Sequence, residues 1–113
     1  MKKIIKPWGH EKLLEINTKF MVKELFMKKG HRCSLQYHKK KKETFYVISG
    51  KLKFYYGLSK KKLKTKNFGP GKYLTIDPKK IHRMEALQNT LYIEASTPEI
   101  YDVVRIEDDY KRN

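Results

Sequence analysis

Cysteine is nearly absent. Cys33 stands alone, so no internal disulfide can form and a reducing, cytoplasmic setting is expected. Cys33 falls in the run leading to Gln36 and reads as a small packed hydrophobe rather than a nucleophile. No apolar run approaches the roughly 18–20 residues that a membrane-spanning helix needs. The opening residues Met1–Pro7 carry lysines but no apolar core, so a secretory leader is not expected. Arginine is scarce, appearing only at positions 32, 83, 105 and 112 among 27 basic residues. A net charge of +15 made almost wholly of lysine lacks the arginine forks by which proteins read bases. The charge is therefore read as compositional drift plus a local site for an anionic ligand, with no specific nucleic-acid partner. Helical periodicity is missing as well, and no fixed-period repeat runs through the chain.

What is present is extended structure. The 113 residues suffice for one domain, taken as 1–113. Strands are expected over residues 12–16, 19–27, 33–38, 44–49, 52–56, 72–76, 81–87, 91–95 and 102–106. Asn17-Thr18 marks a turn, and Gly50-Lys51 suits a tight hairpin. The lysine-rich stretch 58–67 reads as a solvated hairpin or edge strand, since lysine discourages edge-to-edge pairing. Phe68 to Gly71 reads as a turn, and the tail beyond Ile106 as a short helical or extended arm. Alternation puts Phe45 and Val47 on one face and Tyr46 and Ile48 on the other, so both faces are partly apolar. Many short strands at regular spacing argue for a sandwich or jelly roll, and most aromatic residues are assigned to its core or to a homodimer interface.

Four polar residues stand out. Gln36 and His38 lie two apart, so a strand projects both to the same side. Glu43 follows a lysine-rich turn that allows a hairpin to bring it back beside His38. His82 opens another strand after Pro78. Two imidazoles, a carboxylate and an amide oxygen suit one borderline divalent cation, with Mn, Fe, Co, Ni and Zn all admissible.

The spacing resembles the two motifs of the cupin superfamily. The first runs glycine, five residues, His-x-His, a short gap, glutamate, six residues, glycine; here it is Gly30, Gln36, His38, Glu43 and Gly50. The second is represented by Gly71, Pro78, Lys79 in a glycine position, and His82. The segment Ser34-Leu35-Gln36-Tyr37-His38 further resembles the SLQxH stretch of type II mannose-6-phosphate isomerases. Lys6-Pro7-Trp8-Gly9 resembles their PWG opening, and the stretch from Val104 to Arg112 resembles their VRxEDxYGR ending. Lys39, Lys40 and Lys41 replace the family's His-His-Arg, Thr44 a histidine, and Phe45 a tryptophan.

The resemblance implies an all-β cupin double-stranded β-helix, a jelly-roll barrel, holding one divalent metal ion. It also implies metal-dependent interconversion of mannose 6-phosphate and fructose 6-phosphate through an enediol. In that reading Gln36, His38, Glu43 and His82 hold the metal. Arg32 contacts substrate and Glu107 moves a proton, while Lys6, Lys41 and Arg105 bind the phosphosugar. Lys39 to Lys42 read as a solvated loop or, functionally, a phosphate collar at the barrel mouth. Arg105 and Glu107 are equally readable as a salt-bridge set holding the last strand. Two alternatives stay open: a non-catalytic sugar- or phosphosugar-binding cupin, and another metal-dependent cupin enzyme.

Overall fold

The computed structural model describes residues 2–112, and among them there are eleven strands and no helix. They are β1 (Lys2–Lys6), β2 (Gly9–Ile16), β3 (Met21–Met27), β4 (Leu35–Tyr37), β5 (Glu43–Ser49), β6 (Leu52–Gly57), β7 (Lys64–Phe68), β8 (Tyr73–Ile76), β9 (Ile81–Ala86), β10 (Thr90–Ser96) and β11 (Val104–Glu107). Two antiparallel sheets result, ordered β1-β2-β3-β10-β5-β8 and β11-β4-β9-β6-β7. This is the expected double-stranded β-helix.

Local chemistry explains most boundaries. Asn17 Oδ1 accepts the N–H groups of Lys19 and Phe20, which turns the chain between β2 and β3. Gly50 sits at φ 92° between β5 and β6, and a Cβ there would stand 2.3 Å from the carbonyl oxygen of Asn89. Only glycine meets both conditions. Lys79 occupies the glycine position of the second motif with φ 70°, so a lysine keeps the left-handed conformation that glycine favours.

Five expectations need adjustment. Residues 2–6 form edge strand β1, which pairs along β2 from Lys2↔Leu13 to Lys6↔Gly9. Its lysines and exposed Ile5 hid it, because an edge strand with no buried row shows no alternation. Stretch 58–67 pairs only from Lys64 onward, and Phe68, expected in a turn, is the buried end of β7. Asp102 lies outside β11, in the irregular link that follows β10. The tail closes with a turn in which Lys111 N–H donates to the Asp108 carbonyl.

The core lies between the sheets. Phe54 packs against Phe45 and Phe68 with ring centroids 6.0 Å from each, and Tyr92 lies 6.1 Å from Phe45. At one end of the strands Leu52 pairs with both Ala86 and Phe68, and all three are buried. At the other end the same inner faces carry charge. Ser96 stands opposite Glu43 across β10 and β5, and Gln36 opposite His82 across β4 and β9. The apolar end anchors the strands that position this polar end.

Candidate metal centre and its cavity

Alternation along β5 turns Glu43 inward with Phe45 and Val47, while Tyr46 and Ile48 are exposed. His82 is the second residue of β9, and its ring stacks on Phe54 at 6.1 Å. His38 follows the last residue of β4. The two sheets thus face one another through these side chains: His38 and His82 from the five-stranded sheet, Glu43 from the six-stranded one.

Glu43 Oε1 lies 3.2 Å from His38 Nε2 and 3.0 Å from His82 Nε2. The three donor atoms lie within 4.8 Å of one another, and all three residues are buried. The other ring nitrogens are already engaged: His38 Nδ1–H donates to the Asp102 carbonyl and His82 Nδ1–H to the Lys80 carbonyl. Both Nε2 lone pairs are therefore directed at the same carboxylate oxygen. Glu43 Oε1 and His82 Nε2 are fully buried without a hydrogen-bond partner among the described residues. Lone pairs do not attract one another, so this arrangement fits a shared cation. Donor edges near 3 Å are also what two ligands subtend at a metal about 2.0–2.2 Å from each.

Gln36 stands beside the trio. Its Oε1 accepts from Ser34 Oγ at 2.6 Å, and its Nε2 is 3.5 Å from His38 Nε2. A half-turn of the amide exchanges these atoms and aims the carbonyl oxygen at the cluster. The four residues expected to hold a metal thus come together.

Lys41 departs from the expected solvated loop. Its side chain is only 6% exposed, with Nζ 3.2 Å from Glu43 Oε2 and 2.7 Å from Glu94 Oε2. Burial opposes the ammonium charge, but Glu94 and Glu43 outweigh it and hold the Lys41 pKa above the usual lysine value. Burial likewise opposes the Glu43 carboxylate, yet His38, His82 and Lys41 beside it keep its pKa well below the ordinary range. Desolvation works against a charged His38, but Glu43 raises its pKa overall.

A cavity of about 120 Å³ opens beside the trio. The six-stranded sheet gives it Glu11, Lys23 and Glu94, three buried charges absent from the sequence-based site. Lys23 Nζ is 3.2 Å from Glu11 Oε1, and Lys23 stands opposite Glu94 in the β3–β10 register. The signal was in the strand parity. Lys23 shares a face with Met21, Leu25 and Met27, and a lysine in such a row must be paired. Lys6, Arg105 and Arg112 line the same cavity, and Asp108 holds the Arg112 guanidinium at 2.8 Å and 3.2 Å. Arg112, like Lys23, was a cavity cation that sequence reasoning missed.

Arg32 and Glu107 do not line the cavity. Arg32 pairs in bidentate fashion with Asp109, at 2.5 Å and 2.9 Å. Glu107 is about half exposed, 3.6 Å from Lys60. His31 is half-buried, and its Nδ1 is 3.1 Å from the Tyr110 hydroxyl. Trp8, 5% exposed, packs in the core. Among the described residues no helix is long and apolar enough to cross a membrane.

Comparison with solved structures shows the same fold. KdgF from Halomonas sp. superposes with a TM-score of 0.77 at 16% identity, over 88% of this chain and 89% of that one. A protein with a double-stranded β-helix domain from Klebsiella pneumoniae gives 0.72 at 14%, over 85% and 77%. Oxalate decarboxylase from Bacillus subtilis, in a study of its Mn(II) centres, gives 0.80 at 18%. That match covers 94% of this chain but only 30% of the decarboxylase, so this chain spans about a third of its length. No curated protein matches the chain. The family described as "Mannose-6-phosphate isomerase C-terminal" matches residues 1–108.

Proposed function

The chain belongs to the mannose-6-phosphate isomerase C-terminal family, and we propose that it interconverts mannose 6-phosphate and fructose 6-phosphate with one divalent metal ion. The observation that carries this reading is the buried His38–Glu43–His82 trio, whose lone pairs converge at the wall of a cavity rich in cations. The Mn(II) centres of the similar decarboxylase support a metal of the same class. A bound divalent ion would polarise the sugar carbonyl and stabilise charge developing on its oxygens.

The remaining work belongs to the chain itself. Lys41, cationic between two carboxylates, presents a fixed positive charge beside the reacting oxygens. Lys6, Arg105 and Arg112 suit a phosphate dianion, and the Asp108 clamp keeps the Arg112 fork from folding away. Burial pushes the Lys6 pKa down, and Lys23, Arg112 and Arg105 nearby add to this against the opposing pull of Glu11. Trp8, Leu25 and Phe45 line the apolar side and limit water at the reacting carbons.

The non-catalytic phosphosugar-binding reading is favoured by one observation, the placement of Arg32 and Glu107 outside the cavity. A single experiment separates the two. Protein loaded in turn with Mn, Fe, Co, Ni or Zn is incubated with mannose 6-phosphate, and fructose 6-phosphate is followed by NMR. Conversion supports the isomerase. Saturable binding without conversion supports the binding module, and the absence of both binding and conversion removes the phosphosugar reading altogether.

A further inference from the structure

The inward face of β10 carries polar groups that the metal and phosphate contacts leave unused. Tyr92, Glu94 and Ser96 alternate with outward residues, so all three face between the sheets. Tyr92 Oη and Ser96 Oγ are buried without a hydrogen-bond partner among the described residues, and between them the buried Glu94 Oε2 meets the Lys41 ammonium at 2.7 Å. Buried polar atoms without partners are uncommon, and two that flank a buried carboxylate on one strand face are not accounted for by packing. β10 is paired on both sides, to β3 and to β5, so these groups sit on a rigid element. Glu94 is the charged member. It is 5% exposed, lines the cavity with His38 and Glu43, and shares the Lys41 ammonium with Glu43.

We propose that Glu94 is the catalytic residue that carries the proton between the two sugar carbons. This rests on the isomerase reading above. The Glu94 carboxylate takes the proton from C2 of open-chain mannose 6-phosphate. The C2–H electron pair becomes the C1–C2 double bond, and the carbonyl pair moves onto O1. Glu94 then returns the proton to C1 while the O2 proton passes to O1, leaving the C2 carbonyl of fructose 6-phosphate. Atoms and electrons balance with no co-reactant. Lys41 is excluded as the base because its two carboxylates hold it protonated. Burial, and then the charge of Glu43, raise the Glu94 pKa above the ordinary carboxylate value, which strengthens it as a base near neutrality.

A structural role as counter-ion to Lys41 and Lys23 is the competing account, and the test separates them. Metal-loaded wild type and Glu94→Gln are incubated with mannose 6-phosphate in D₂O. Metal stoichiometry, mannose 6-phosphate affinity, turnover and deuterium at C1 and C2 are then measured. Turnover in Glu94→Gln should fall by about 100-fold or more, with loss of deuterium incorporation, while metal content and affinity are retained. Glu94→Asp keeps the carboxylate one methylene short; it should keep a fraction of the exchange, with the pH profile moved to the acid side. Wild-type turnover in Glu94→Gln overturns the proposal while leaving the isomerase reading intact. Loss of metal or of folding in both variants also overturns it, assigning Glu94 to the Lys41 ion pair. If the wild type itself neither converts nor exchanges, the isomerase reading fails and the role of Glu94 falls with it.

Discussion

The backbone carbonyl of Asp102 accepts the Nδ1–H of His38, 64 residues away in the chain. The Asp102 carboxylate meanwhile accepts the N–H groups of Lys39, Lys40 and Lys41 at 3.1, 2.7 and 2.9 Å. One residue in the link after β10 therefore sets the tautomer of the His38 imidazole and the shape of the neighbouring lysine loop. That shape is what carries Lys41 inward while Lys39, Lys40 and Lys42 remain exposed.

Metal uptake tests the centre directly. Replacing both His38 and His82 with Ala should abolish stoichiometric binding of a divalent ion, measured by elemental analysis after dialysis. Retention of one equivalent would remove the assignment of these ligands.

Lys41→Ala should destabilise the metal-free protein by about 3–5 kcal/mol, because two buried carboxylates are left facing each other without a cation. Urea denaturation reads this loss. Added divalent metal should recover part of it, since a bound cation would compensate Glu43. A loss below about 1 kcal/mol would mean that water, not Lys41, solvates these groups.

Asp108 gives an acid-side signature. The Arg112 guanidinium beside it pulls its carboxyl from 3.8 to about 2. A carboxyl lowered on folding stabilises the protein above its unfolded value and loses that contribution as pH falls through the folded one. The stability difference between wild type and Asp108→Asn should therefore be full above pH 3.8 and shrink toward pH 2. The same variant frees Arg112, so KM for a phosphosugar should rise more than kcat falls. A stability difference independent of pH would contradict the clamp.

Lys79→Gly should raise stability by about 0.5–1 kcal/mol. A left-handed L-residue costs roughly 1–2 kcal/mol, and the extra freedom of unfolded glycine takes back roughly half. The Lys79 side chain is exposed, so little packing is lost. Thermal unfolding of the two proteins decides the sign, and a lower midpoint for the glycine variant would refute the strain argument.

The residues of the candidate metal site were readable as a group because the relevant signals are local. Gln36 and His38 share a strand face by parity, and the short turn before β5 leaves Glu43 near His38. Edge strand β1 was not readable, since three of its residues are lysine and its pairing to β2 leaves no buried row. Arg32 and Glu107 were placed at the site through motif likeness, which carries no information about which way a side chain leaves the barrel. In the fold Arg32 turns to Asp109 and Glu107 to Lys60.

Strand periodicity, glycine placement and ligand spacing were determined by the sequence alone, because each depends on the backbone geometry of a few neighbouring residues. Which lysine of four would be buried, and which carboxylates would surround it, was decided only by tertiary structure. Lys41, Glu43 and Glu94 come from a loop and two strands whose registry no short segment specifies. Asp102 folds the loop, the β5–β10 pairing aligns the strands, and only their meeting makes burying that ammonium cheaper than leaving two carboxylates unpaired.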